Sequence, residues 1–185
     1  MSSSGKVIYY YGTVSSSKSM LLLAIAHNYA TVGWNVVVVK PASDTRSVMV
    51  ETRAHVPPRK ADIVIADNES LYDYKSIIDR ADVILVDECQ FLTSTQIDEL
   101  RNIATDKDID VICFGLRTDF NAHLFPASKR LFELADEITE VKTICSVCGK
   151  HASFNAKVDK NDNNTNVVDP SWNKFEPRCH LHFRD

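Results

Sequence analysis

Two short runs, Val36 to Val39 and Val83 to Val86, are apolar at every position. A strand with one wet face alternates apolar and polar residues, so runs like these belong to strands covered on both sides. Val7 to Tyr11, Asn35 to Lys40, Asp62 to Ala66, Asp82 to Asp87 and Asp110 to Leu116 all read as strands. Longer stretches of helical spacing separate several of them: Ser19 to Thr31, stopped near Gly33, then Ser70 to Arg80, Ser94 to Thr105 and Pro126 to Ala135. Strand and helix in alternation predict an α/β fold built on a mainly parallel sheet with helices on both faces.

The pattern stops after Ile138. From Thr143 onward Cys and His cluster, and Asp159 to Asn166 reads as a mobile loop. We therefore expect an α/β domain over residues 1–142 and a small lobe over 143–185. Ala42 to Lys60, with adjacent prolines at 57 and 58, shows no clear pattern and reads as a long functional or flexible loop. A formal net charge of −4 argues against a protein that coats nucleic acid, and no apolar run is long enough for a membrane span. The N-terminus has no signal-peptide character, so a cytoplasmic protein is expected, in a bacterial cytoplasm or that of a phage's host.

Gly12-Thr-Val-Ser-Ser-Ser17-Lys18-Ser19 lies where the first strand turns into the first helix. It matches the phosphate-binding template G-x-x-x-x-G-K-[ST] at every fixed position but one, where Ser17 replaces the second glycine. The loop's backbone N–H groups would face phosphates, among them those of Ser15, Ser16 and Ser17. Lys18 would reach the β- and γ-phosphates, and the Ser19 hydroxyl would ligate Mg²⁺. The chain has five glycines, and the usual frequency of about 7 % would give roughly 13. The shortage matters here, because glycine normally supplies the strained backbone before the Lys. A Ser-rich helix N-cap is the plainer alternative.

Val83-Ile-Leu-Val-Asp87-Glu88 is an apolar strand ending in acid, the form of a Walker-B site with Asp87 near the metal. Cys145-x-x-Cys148 and Cys179-x-x-His182 are two pairs with metal-ligand spacing, and four such ligands suit structural Zn²⁺. His180 competes with His182, although Cys-x-x-His has the better spacing. Cys89 and Cys113 read as small buried apolar residues.

Asp87-Glu-Cys-Gln-Phe-Leu92, Phe114-Gly-Leu-Arg-Thr-Asp-Phe120 and Lys40-Pro-Ala-Ser-Asp-Thr-Arg46 go beyond any phosphate-loop template. With the terminal Cys cluster they resemble the zinc-containing thymidine kinases of bacteria, their phages and animals, in wording closest to the bacterial and phage members. The resemblance runs from about Val7 to His182. It implies a P-loop, RecA-like sheet plus a zinc lobe whose long loop closes over the nucleoside. It also implies transfer of the ATP γ-phosphoryl group to the 5′-hydroxyl of thymidine with Mg²⁺. By motif position, Glu88 would be the general base, Asp87 would hold the metal through water, and Asp44 and Arg46 would organise substrate and phosphates. Val14, Phe91, Leu116, Phe120 and Phe125 would wall the base, with Val168 and Phe175 in the closing loop. Partners would be ATP, a pyrimidine deoxynucleoside and further copies of the chain, as a tetramer.

The closing loop departs most from the family. Where the family reads Val-Ile-Gly-Gly and then Tyr, this chain has Val168-Asp-Pro170-Ser171 and then Phe175. Pro170 removes an N–H donor and fixes φ. On sequence alone, two alternatives to a thymidine kinase stay open: a catalytically weakened nucleotide-binding or interaction protein of the same fold, and a kinase of altered pyrimidine choice. Arg117 and Asp119 also admit a purely structural ion pair, and Phe91, Phe114 and Phe120 admit plain core roles.

Overall fold

A computed structural model describes residues 4–44, 47–52, 56–158 and 174–184. In chain order, β1 (Val7–Gly12) leads into α1 (Lys18–Thr31), followed by β2 (Val36–Pro41) and the short strands β3 (Met49–Val50), β4 (Arg59–Lys60) and β5 (Ile63–Ile65). A 3₁₀ turn over Leu71–Tyr74 runs into α2 (Lys75–Ile78), then β6 (Val83–Val86), a second 3₁₀ turn over Cys89–Phe91, α3 (Ser94–Lys107) and β7 (Asp110–Leu116). The chain continues through α4 (Pro126–Leu134), β8 (Glu137–Glu140), β9 (Thr143–Ile144), β10 (His151–Ala152), β11 (Phe154–Lys157), β12 (Phe175–Arg178) and α5 (His180–Arg184).

Six strands form one sheet in the order β5-β2-β6-β7-β1-β8. Every pairing in it is parallel. Its two faces divide residue by residue. Val37, Val39, Ile84, Val86, Val111 and Cys113 pack with Ile97, Leu100 and Ile103 of α3 and Leu131 of α4. Their chain neighbours Val36, Val38, Val83, Leu85, Ile112 and Phe114 pack with Leu22, Leu23 and Ala26 of α1. The period of two along each strand thus feeds two cores, which is why the strands are apolar throughout. Phe114 belongs to the α1-side core, stacked on Tyr10 with ring centroids 5.3 Å apart. Cys89 and Cys113 are fully buried, as their reading as small apolar residues expects.

Local chemistry sets the helix ends. Thr93 and Gln96 form a reciprocal capping box at the start of α3, and Pro126 opens α4. Three segments differ from the sequence expectation. Ser70 to Arg80 is a 3₁₀ turn followed by a single α-turn, not one helix. Ala42 to Lys60 is not wholly irregular, since Met49–Val50 pairs antiparallel with Arg59–Lys60. Glu137–Glu140 is an unpredicted strand, paired parallel with β1 at the sheet edge. It is largely exposed and polar, so it carries no apolar pattern, and its charges suit an edge.

Leu100 is fully buried between α3 and the sheet. Leu100→Ala is expected to lower unfolding free energy by about 2–5 kcal/mol with an unchanged denaturant slope, read by urea titration.

Candidate active site and metal cluster

Because the central strands run one way, β1, β2, β6 and β7 all end at the same edge of the sheet. The loop after β1 carries the phosphate-binding template. Gly12 is required there, because a Cβ on it would come within 2.6 Å of the Val141 carbonyl oxygen and would also strike Ser16 Oγ. Ser15 and Ser17 both adopt left-handed backbone, at φ 59° and φ 63°. Ser17 stands at the N-cap of α1, yet its side chain caps nothing, which disposes of the plain N-cap alternative. The strain that glycine would have avoided is therefore present, at roughly 1–2 kcal/mol per residue. Lys18 is buried, and its ammonium donates to the Thr13 carbonyl (2.6 Å) and the Ser16 hydroxyl (3.0 Å).

β6 delivers the acids. Asp87 and Glu88 are buried at its end. The Ser19 hydroxyl reaches Asp87 Oδ1 at 3.4 Å, so the two predicted metal-side groups meet although 68 positions separate them. These two oxygens suit a hard cation such as Mg²⁺, which binds through few protein ligands plus phosphate and water. Glu88 is again left-handed, at φ 51°. Non-glycine residues held in this region concentrate at functional sites. The turn it starts brings Gln90 back, whose amide donates to Glu88 Oε2 at 2.6 Å and accepts the Leu116 N–H at 2.9 Å. Gln90 is itself buried. Gly115 makes room for this turn, since a Cβ there would lie 2.6 Å from both Cys89 Sγ and Gln90 Oε1. Burial pushes the Cys89 thiol well up, which keeps it inert beside the acids.

At the end of β2, Asp44 forms a buried ion pair with Lys40 at 2.9 Å. The same ammonium donates to the carbonyls of Ser47 and Met49, so it fixes both Asp44 and the start of the β3–β4 hairpin. Lys40 and Gln90 lie inside the quoted motifs, but motif chemistry does not signal them, because their role is to hold a neighbour. Arg46 falls outside the described residues.

The predicted base-wall residues form two aromatic pairs. Phe91 meets Phe125 edge-to-face, with centroids 5.8 Å apart. Phe120 stacks with Phe175 at 5.9 Å, and the Lys157 ammonium stands 4.4 Å from the Phe120 ring centroid. Phe125 is buried, and the other three rings are half-buried. Leu116 is anchored at its carbonyl by Tyr9 Oη (3.0 Å) and Ser128 Oγ (2.6 Å). Val14 is half-buried in the phosphate loop. Val168 and the altered segment at Pro170 and Ser171 lie outside the described residues. Arg117 and Asp119 do not form the structural ion pair considered from sequence. Arg117 donates to the Ser153 carbonyl at 3.1 Å, and Asp119 accepts the N–H groups of Asn121 and His123 in a tight turn.

Cys145, Cys148, Cys179 and His182 converge, with their ligand atoms all within 4.8 Å of one another. Cys148 Sγ lies 3.8 Å from Cys179 Sγ, and His182 Nδ1 lies 3.6 Å from Cys145 Sγ and 3.3 Å from Cys179 Sγ. A zinc tetrahedron with bonds of about 2.3 Å to sulfur and about 2.0 Å to nitrogen sets ligands some 3.5–3.8 Å apart. The donors present fit that ion. Burial pushes the Cys145 thiol up, but the N–H groups of Cys179, Val147 and Cys148 and the His182 ring outweigh it and bring it down to about 5. His180 is not a member, because its ring lies against Phe154.

A profile of the thymidine kinase family matches residues 5–183. This chain belongs to the thymidine kinase family. It is similar to the thymidine kinase of Rhodopirellula baltica, with 35 % identity over 97 % of this chain and 88 % of that protein. It is also similar to that of Streptococcus agalactiae, at 37 % over 80 % of this chain and 79 % of that protein. The thymidine kinase of Enterobacteria phage T4 matches at 36 %, covering 82 % of this chain and 80 % of that one. Membership makes the chain a kinase.

Ser17→Gly removes the left-handed strain at a modest entropic cost. It is expected to raise the thermal midpoint by roughly 1–4 °C, and an unchanged or lower midpoint contradicts the strain argument. Removing the metal with a strong chelator is expected to loosen residues 143–184 while the sheet stays folded. Amide hydrogen exchange measures this, and uniform exchange across both regions is the contrary result.

Proposed function

We propose that this chain is an ATP-dependent thymidine kinase that moves the γ-phosphoryl group of ATP to the 5′-hydroxyl of thymidine, with Glu88 as general base. One observation carries the residue assignment: Ser19 Oγ lies 3.4 Å from Asp87 Oδ1, and Glu88, next in the chain, is held by Gln90 at 2.6 Å. Phosphate loop, metal-side acid and base thus share one small volume. Phosphoryl transfer needs positioning and charge neutralisation more than covalent chemistry.

In this reading, backbone N–H groups at the start of α1, in the run Gly12 to Ser17, cradle the phosphates, and Lys18 turns its ammonium from the Thr13 carbonyl to them. Ser19 would ligate Mg²⁺ and Asp87 would hold it through water, and the ion would supply neutralisation of the phosphate charge. Glu88 accepts the 5′-hydroxyl proton, for which it must lie within about 3 Å of that oxygen. Gln90 fixes the carboxylate's rotamer. Asp44 and Arg46 orient the nucleoside and phosphates. Val14, Phe91, Leu116, Phe120, Phe125, Val168 and Phe175 wall the base, because a flat pyrimidine wants flat apolar surfaces around a few polar contacts.

We also assign residues 1–142 to the catalytic domain and 143–185 to a lobe held by structural Zn²⁺. A cytoplasmic placement belongs to the same proposal; among the described residues no helix is long and apolar enough to cross a membrane. The tetramer rests on the family resemblance, and light scattering tests it.

The deciding experiment incubates the protein with ATP, Mg²⁺ and a panel of thymidine, deoxyuridine and deoxycytidine. Thymidine is expected to be phosphorylated, and Glu88→Gln is expected to lower kcat by about 10²–10⁴-fold with the fold retained. No turnover of thymidine by a folded, metal-loaded protein overturns the proposal.

A further inference from the structure

Asn155 is a buried amide on β11, in the metal-held lobe, with both of its ends engaged outside that lobe. Its Oδ1 accepts the N–H of Val14 in the phosphate loop at 2.8 Å. Its Nδ2 donates to the carbonyl of Thr118, after β7, at 2.9 Å. One side chain thus clips the phosphate loop to the segment that carries Phe120. A buried amide bonded at both ends stands in one orientation, and removing it leaves a backbone donor and a backbone acceptor unsatisfied.

The route from Asn155 to the metal cluster is short. Asn155 pairs in register with Pro177 of β12, and Cys179 follows two positions later. The Pro177 carbonyl accepts the N–H of Ser146, inside the Cys145–Cys148 turn, at 3.0 Å. Two further polar contacts tie the lobe to the same neighbourhood: Thr143 Oγ1 reaches the Ser15 carbonyl at 3.4 Å, and Arg117 reaches the Ser153 carbonyl at 3.1 Å. The loop that receives these contacts is the strained one, with Ser15 and Ser17 left-handed. A strained backbone keeps its shape only where its surroundings over-determine it.

We propose that Asn155 is a positioning residue that couples the metal-held lobe to the phosphate loop, so that order in the lobe sets the loop's geometry for ATP. The inference rests on the loop binding ATP, as in the proposed function. Asn155 touches neither reacting group; it acts through the Val14 N–H and the Thr118 carbonyl.

The test reads binding rather than turnover. Affinity for a fluorescent N-methylanthraniloyl ATP is measured on the full chain, with zinc content followed by elemental analysis. Asn155→Leu keeps the volume and deletes both hydrogen bonds. It is expected to bind the analogue about tenfold more weakly with its zinc retained. Asn155→Asp keeps the shape and an oxygen to accept the Val14 N–H but loses the donor to the Thr118 carbonyl, so it is expected to recover only part of that loss, whereas a merely space-filling role predicts full recovery. Should the leucine variant not fold, Asn155→Ala is read in its place. Chelation of zinc from the wild-type chain is expected to weaken analogue binding by a similar factor and to add little in Asn155→Leu. A leucine variant that retains zinc and binds the analogue as the wild type does overturns the proposal, as do fully additive effects of chelation and substitution. A wild-type chain that binds no analogue instead refutes the ATP reading of the loop.

Discussion

All six strands of the main sheet run in one direction, and both faces of its inner strands are dry. The rest of the molecule depends on that arrangement. It forces every chain reversal at the C-terminal edge to carry polar work, because the strand interiors admit none. Gly12, Pro41, Val86 and Leu116 close β1, β2, β6 and β7, and from them emerge the phosphate loop, Asp44, the Asp87–Glu88 pair and the Thr118 segment. Lys18, Lys40, Asp44, Asp87 and Glu88 are all buried here. Charges this shielded from water are tolerable only against partners, so Lys40 sits on Asp44, Lys18 on its own loop and Glu88 on Gln90. The same shielding strengthens their interaction with a phosphate or a transferring proton.

A second theme is backbone strain carried without glycine. Of the five non-glycine residues with positive φ among those described, Ser15, Ser17 and Glu88 lie at the site. Each places a backbone or side-chain group where a relaxed chain would not. Ordered contacts hold them: Ser16 and Thr13 through Lys18, Gln90 on Glu88, and Asn155 on Val14. The loop after β1 therefore keeps its left-handed turns without glycine at Ser15 and Ser17, because the surroundings supply the rigidity.

The terminal lobe solves a different problem. Its described strands are two to four residues long, and few of its described side chains are buried. So small a layer buries little apolar surface, and a metal held by Cys145, Cys148, Cys179 and His182, whose ligand atoms lie within 4.8 Å of one another, would take over the task of ordering it. Its described links to the main domain include the hydrogen bonds of Asn155, Thr143 and Arg117 beside the stack of Phe175 on Phe120. That makes it suited to transmit position.

Much of this was legible in the residues. Continuous apolar runs announced the parallel sheet, because burial on both faces leaves no other composition. The phosphate loop, the acidic strand end and the two ligand pairs were legible because their chemistry demands particular atoms at short, fixed spacing. What the chain order could not show were contacts that join distant positions. The edge strand Glu137–Glu140 is polar and exposed, so it has no pattern to read, and the β3–β4 hairpin is too short to have one. Gln90 and Lys40 lie inside recognisable motifs and Asn155 outside them, but each acts only through the group it holds. The left-handed turn at Glu88 and the clip from Asn155 to the loop after β1 were decided by tertiary structure alone, because each depends on which surfaces meet when the strands close side by side.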